Sequence, residues 1–253
     1  MKTEKRKCEK HGEYIAECAE YAHFSRWSLC PECQKEIDAA AELEAAENEK
    51  RQKNARIAEN MSRSGIPKKY SSSQLSCLES VSGNKNEKAI QYASRYIAAF
   101  ESIRDEGVSM IFFGSPGTGK THIACAVAIE IIKQGFSAKY ITAFDLLNEI
   151  SDCFRTRESV NDAIKNYLYS DLLVIDEIGI QYGKDHDSIW LYKIINSRYV
   201  NNRPTIIISN LSQEDLETFL GAPTYDRLQE GKGAAIPFYW ESHRRKPALK
   251  LAS

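Results

Sequence analysis

Eight consecutive residues, Gly114-Ser115-Pro116-Gly117-Thr118-Gly119-Lys120-Thr121, fit the spacing G-x-x-x-x-G-K-[ST]. Glycines so placed let backbone N–H groups turn inward onto phosphate oxygens, and a helix beginning there adds its partial positive charge. Lys120 would then reach the β- and γ-phosphates of a nucleoside triphosphate, and Thr121 would ligate Mg²⁺. Further along, the apolar run "LLVIDEIG" delivers Asp176 and Glu177. Asp176 would hold Mg²⁺ through water. A second carboxylate at Glu177 can polarise a water for attack on the γ-phosphate, which favours hydrolysis over transfer to a small acceptor. Asn210 ends the run "TIIISN". If that run lies between the other two as a strand, its amide can orient the attacking water; otherwise it is a turn-forming Asn.

A second group of donors sits near the start. Cys8-x-x-His11 and Cys30-x-x-Cys33 are separated by 18 residues. Two close pairs at that distance fit a tetrahedral zinc site of Cys₃His type, with each short loop supplying two ligands. All four positions would be filled by protein, so the zinc would be structural. Cys18 and His23 lie between the pairs and are alternative donors. So short a region buries little apolar surface and would need the metal to fold.

These residues need elements to hold them. "VSMIFFG", "SAKYIT", "DLLVIDE" and "RPTIIISN" read as short apolar strands, and "THIACAVAIEIIKQG", "AFDLLNEISDCF" and "SIWLYKIINSRYVNN" as helices between them. Strands apolar on both faces that alternate with helices indicate an α/β fold, a parallel sheet covered by helices on both faces. "SQEDLETFL" opens with Ser212 and has Asp215 three residues on, a capping-box-like start. Residues 34–60 are rich in Ala, Glu, Lys and Gln and lack Gly and Pro, which predicts an exposed helix that meets a partner or spans between domains. "SRSGIPKKYSSSQ" breaks it with Gly65 and Pro67. The organisation expected is a zinc-knuckle and helical module over 1–60, a linker over 61–85 and a nucleotide domain over 86–253.

Among the 253 residues, Lys plus Arg number 34 and Asp plus Glu 35, so global charge marks no nucleic-acid binder and any such surface must be local. No run approaches the ~18 apolar residues of a membrane span. The charged start "MKTEKRKCEK" is unlike a secretory signal. Together with the clustered Cys, this leads to the expectation of a cytoplasmic protein with reduced thiols.

"GSPGTGKT", "DLLVIDEIG", "RPTIIISN", "YDRL" and "FYWESHRR", in that order, resemble the DnaC/IstB-like AAA+ ATPases over roughly residues 65–246, and within them the loaders of bacterial replicative helicases. The resemblance implies an AAA+ P-loop core and roles that spacing alone does not supply. Asn210 matches the sensor Asn. Arg227 matches the arginine finger that acts in trans on a neighbour's ATP. Arg244 matches the second sensor Arg in cis, although Arg245 follows and can take that role. It also implies that the segment between the ATP motifs grips single-stranded DNA. Phe154, Arg155 and Arg157 suit base stacking and phosphate contact, with Phe154 as a core residue the alternative. By analogy the N-terminal module docks on a DnaB-type helicase.

The implied activity is ATP-dependent loading of the ring helicase onto single-stranded DNA. ATP binding drives self-assembly, and hydrolysis to ADP drives release. A transposition helper ATPase of the IstB kind, binding duplex DNA, shares the core and is the alternative. An inactive nucleotide fold serving a metal-dependent binding module is opposed by intact Lys120, Thr121, Asp176 and Glu177. A small-molecule kinase leaves Asn210 and Arg227 without a place.

Overall fold

The computed structural model describes residues 2–20, 25–77, 86–179 and 185–242. They divide into two compact units, Met1–Ala55 and Arg56–Ser253.

In the first unit, β1 (Lys2–Cys8), β2 (Gly12–Glu20) and β3 (Ser25–Trp27) form an antiparallel sheet in that order. The β1–β2 hairpin pairs Cys8 with Gly12 and Lys2 with Cys18. Gly12 closes it at φ +85°, a left-handed value that glycine adopts without a Cβ penalty. Among the described residues of this unit, Ala16, Cys18 and Cys30 alone are buried. Apolar burial is therefore a weak stabiliser here. The sheet lies outside what the sequence led us to expect, which was two knuckles and a helix; alternation is masked because β1 is exposed along almost its whole length.

Helix α1 (Pro31–Ser62) contains the expected 34–60 span and has no buried residue. Its Ala, Glu, Lys and Gln are strong helix formers. Surface pairs such as Lys35–Glu32 and Arg51–Glu47, three and four residues apart, lend it small, solvent-screened support.

The second unit is the predicted α/β layer. Its elements in chain order are α2 (Glu87–Ile103), β4 (Met110–Gly114), α3 (Lys120–Lys133), β5 (Ala138–Thr142), α4 (Ala143–Thr156), α5 (Val160–Tyr169), β6 (Leu172–Ile178), α6 (Asp185–Val200), β7 (Thr205–Ser209), α7 (Gln213–Leu220), α8 (Ala222–Gln229) and β8 (Ala234–Phe238). The five strands pair in parallel in the order β5-β6-β7-β4-β8. Alternate residues feed two cores. Met110, Phe112, Leu172, Val174, Ile206 and Ile208 pack with α2 and α3. Ile111, Phe113, Leu173, Ile175 and Ile207 pack with helices of the other face, including α4 and α6. That is why these strands read as continuous apolar runs. Ser212 caps α7 as expected, its Oγ accepting from the Asp215 N–H at 3.1 Å.

Two features reach across the layers. Arg198 of α6 is fully buried. Nη1 donates to the carbonyls of Tyr167, Leu168 and Ser170, Nη2 to Pro204 O at 2.6 Å, and Nε to Thr205 Oγ1 at 3.0 Å. It gathers the end of α5 and the entry of β7 onto one guanidinium. Burial lowers its pKa to about 9, so it still carries its proton at neutral pH.

The other is the segment whose composition reads as a linker. Over 63–77 it is packed as part of the second unit. Ser64 O accepts the Tyr140 N–H of edge strand β5 at 2.7 Å. Gly65, at φ +75°, approaches Tyr140 so closely that a Cβ would fall 2.5 Å from its carbonyl oxygen. Ile66, Tyr70 and Leu75 pack on the core. Gly and Pro mark a break in the helix but do not distinguish a free tether from a packed strap. Residues 78–85 of that expected linker lie outside the described residues.

Candidate functional site

The phosphate loop joins β4 to α3. Gly114, Gly117 and Gly119 all take positive φ, at +117°, +78° and +97°. A Cβ on Gly114 would lie 2.7 Å from Phe238 O, so the loop's start must be glycine for β8 to pair beside it. Gly119 caps α3 with no side-chain hydrogen bond. A glycine at this position supplies no capping oxygen of its own, and a phosphate can take that place. The loop is braced from β8 as well. Ser115 N–H donates to Phe238 O at 2.9 Å, and Trp240 Nε1 donates to Thr118 O at 2.9 Å. The Phe238 and Trp240 rings pack at a tilt of 38° with centroids 4.7 Å apart.

Lys120 is buried, and its ammonium donates to Gly114 O at 2.8 Å and Ser115 O at 2.7 Å. Both acceptors belong to the loop itself, so a phosphate entering the cradle meets a cation already held there. Thr121 Oγ1 donates to Asp176 Oδ2 at 2.8 Å, which brings together the two oxygens expected to hold Mg²⁺. The Tyr140 hydroxyl donates to the same Oδ2 at 2.8 Å, and the Glu177 N–H donates to Oδ1 at 2.7 Å. Burial, and then the adjoining carboxylate, push the Tyr140 phenol far above its ordinary range, so it remains a donor. Burial likewise pushes Cys125, behind Asp176, up to about 12. Glycines free to cradle, an uncapped helix start, a buried ammonium and a hydroxyl–carboxylate pair fit a nucleoside triphosphate with its cation.

Glu177 is exposed and takes φ +60° at an irregularity in the β6–β7 pairing. Left-handed backbone at a non-glycine residue is a strained state held by its surroundings. β7 lies between β6 and β4, the condition set for Asn210, which is exposed just past Ser209 at that strand's end.

Arg227 lies on α8, and its contacts are with α6. Nη1 donates to Asn196 Oδ1 at 2.6 Å and to Tyr192 OH at 3.4 Å. Arg244 and Arg245 lie outside the described residues. Phe154 is 57% exposed, so it is no core residue. It packs against Trp190 with ring centroids 5.9 Å apart, and Lys193 Nζ sits 4.3 Å from the Trp190 ring. Arg155 pairs with Asp152 at 2.8 Å, and Arg157 is exposed beyond α4 at φ +61°.

In the first unit, the ligand atoms of Cys8, His11, Cys30 and Cys33 all lie within 4.8 Å of one another. Cys8 and Cys33 Sγ are 3.5 Å apart, and His11 Nδ1 is 3.4 Å from Cys33 Sγ. Thiolates around one Zn²⁺ at ~2.3 Å stand about 3.8 Å apart, so the donor set fits the ion. Backbone hydrogen bonds from His11 and Lys10 lower the Cys8 pKa, while the contact with Cys8 raises that of Cys33, so Cys8 is the first of the two to become a thiolate. His11 turns Nδ1 to the thiols and Nε2 to Glu36 Oε1 at 3.3 Å, a carboxylate orienting the ring from behind. Cys18 is buried at the β2–β3 pairing and is not part of the cluster; His23 lies outside the described residues.

Tyr140, Trp240 and Glu36 were missed by the sequence reading. Each is joined to its site by strand register or helix start; Trp240 sits within "FYWESHRR", but that motif points to Arg244 and not to the ring.

The pattern that defines the IstB-like ATP binding proteins matches residues 39–229. The chain is 33% identical over 159 residues to the replicative helicase loader DnaC of Escherichia coli (strain K12), covering 62% of this chain and 64% of that one. It thus spans less than two thirds of that relative's length. A crystal structure of the DnaC helicase loader superposes with a TM-score of 0.58 at 25% identity, over 67% of this chain and 99% of that one. The replication initiator DnaA bound to AMPPCP and single-stranded DNA shares the fold, with a TM-score of 0.56 at 24% identity over 68% of this chain and 50% of that one. Among the described residues no helix is long and apolar enough to cross a membrane.

Proposed function

The chain belongs to the family of IstB-like ATP binding proteins, and from that premise we propose that it is a cytoplasmic ATPase that loads a DnaB-type ring helicase onto single-stranded DNA. The observation that carries the proposal is its 33% identity over 159 residues to the DnaC loader.

In this reading the loop 114–121 binds ATP, with Lys120 on the β- and γ-phosphates. Thr121 and Asp176 would hold Mg²⁺, which offsets phosphate charge. Glu177 takes a proton from water as its oxygen attacks the γ-phosphorus; the bond to the β–γ bridging oxygen breaks, and ADP and phosphate leave. Asn210 orients that water. Arg227 of a neighbouring copy, and Arg244 within the same copy, stabilise the charge developing on the γ-phosphate. Residues 1–60, ordered by zinc on Cys8, His11, Cys30 and Cys33, dock on the helicase; 61–85 connects and 86–253 is the ATPase. Phe154, Arg155 and Arg157 grip the single strand.

The test is a mass measurement of the protein mixed with a DnaB-type helicase, in ATP and in ADP. A complex that forms with ATP and loosens with ADP is expected; no complex in either state overturns the reading. Tighter binding to duplex than to single strands would support the transposition-helper alternative.

A further inference from the structure

Arg227 is held in an unusual way for a half-exposed arginine. Both of its hydrogen bonds leave from Nη1, to the Asn196 amide oxygen and the Tyr192 hydroxyl. The guanidinium carbon lies 5.5 Å from the Tyr199 ring centroid and 6.0 Å from that of Tyr192. Among the described residues no carboxylate pairs with it, although Glu230 is three positions away; Glu230 accepts from the Tyr199 hydroxyl instead. Every group that orients this cation is neutral, so its charge is undiminished, and Nη2 and Nε are left to donate.

We propose that Asn196, Tyr192 and Tyr199 form a socket that positions Arg227 for the γ-phosphate bound by a second copy of this chain. The inference rests on the reading of Arg227 as a trans-acting group and deepens it. A surface ion pair would neutralise the guanidinium, whereas an amide and two ring faces fix its plane and leave its field available to a phosphate. Along α6, exposed Ile189 lies three residues before Tyr192 and exposed Val200 four residues after Asn196, so both flank the socket on the same face. The second copy covers this apolar rim when it brings its phosphate loop to Arg227. Asn196 and the two tyrosines are positioning residues; Arg227 is the group that meets phosphate.

The test mixes half-defective copies and reads ATP hydrolysis with helicase and single-stranded DNA present. Asn196→Asp places a carboxylate 2.6 Å from Nη1 and turns the socket into an ion pair. This variant is expected to bind ATP like the unaltered protein while its stimulated hydrolysis falls by about tenfold or more. Asn196→Ala removes the tether without adding charge and is expected to lose less. Mixing either variant with Lys120→Ala copies, whose socket is intact and whose pocket is not, should restore turnover. Arg227→Ala mixed with Lys120→Ala is the reference. If that reference is not restored, Arg227 does not act in trans and the socket falls with it. If the reference is restored but the Asn196 variants hydrolyse at full rate, lose ATP binding, or fail to be restored, Arg227 keeps its role and the socket is overturned.

Discussion

The Tyr140 hydroxyl and Thr121 Oγ1 both donate to one oxygen, Asp176 Oδ2, each at 2.8 Å. A strand next to β6 thus fixes the carboxylate from behind while the phosphate loop meets it from the front. Tyr140→Phe removes the rear donor without changing volume. The expected result is a fold destabilised by about 1 kcal/mol and a several-fold higher Mg²⁺ concentration for half-maximal hydrolysis, with ATP affinity little changed. A magnesium titration of the ATPase checks this; an unmoved midpoint would mean that Thr121 and the Glu177 N–H suffice to hold Asp176.

Glu177→Gln keeps size and hydrogen bonding but cannot take a proton. Hydrolysis should fall by about 10²-fold or more, while labelled ATP still binds. Single-turnover kinetics separate the two effects. Retained turnover would remove Glu177 from the chemistry.

Protein prepared without zinc should have an unfolded first unit and an intact second, because the described part of the first unit buries little beyond Ala16, Cys18 and Cys30. A chelator is expected to abolish the amide-exchange protection of residues 2–20 and leave β4 and β6 protected. Glu36→Gln should weaken zinc affinity by about 10–100-fold while leaving all four ligands in place. Competition with a colorimetric chelator measures this.

Arg198→Met removes a buried donor from the carbonyls of Tyr167, Leu168, Ser170 and Pro204, of which Tyr167 O keeps the Ser170 hydroxyl and Pro204 O keeps the Leu173 N–H. The loss should be on the order of 3 kcal/mol, read by urea unfolding. At low denaturant, nucleotide affinity should stay unchanged, since none of these groups touches the phosphate loop.

Phe154→Ala removes an exposed ring and should leave stability nearly untouched. If the ring stacks on a base, affinity for a single-stranded oligonucleotide falls by about tenfold, from roughly 1–3 kcal/mol per stacked base. Anisotropy with a labelled oligonucleotide provides the measurement, and Trp190, 5.9 Å from Phe154, supplies an intrinsic fluorescence signal.

The contrast between what sequence revealed and what it hid has a physical cause. The glycine loop, the strand ending in Asp176 and Glu177, and the Cys–His pairs were legible because each is local; a few adjacent residues determine backbone path and ligand reach together. Tyr140, Trp240, Glu36 and Asn196 lie far in sequence from the groups they touch. Only the strand order β5-β6-β7-β4-β8, the start of α1 or the packing of α8 on α6 brings them close. β8 escaped notice because its burial is uneven, with Pro237 exposed within it. The small sheet of the first unit was illegible for a related reason: a hairpin with almost no core has no apolar alternation to display.

Gly114 sits so close to Phe238, and Thr118 so directly under Trp240, that the nucleotide cradle is finished by the strand made after all the others. During synthesis, a chain that has emerged only as far as α8 carries every residue of the phosphate loop yet lacks the wall that shapes it. The shape of the phosphate loop is therefore expected to depend on the pairing of β8, the last strand in chain order among the described residues.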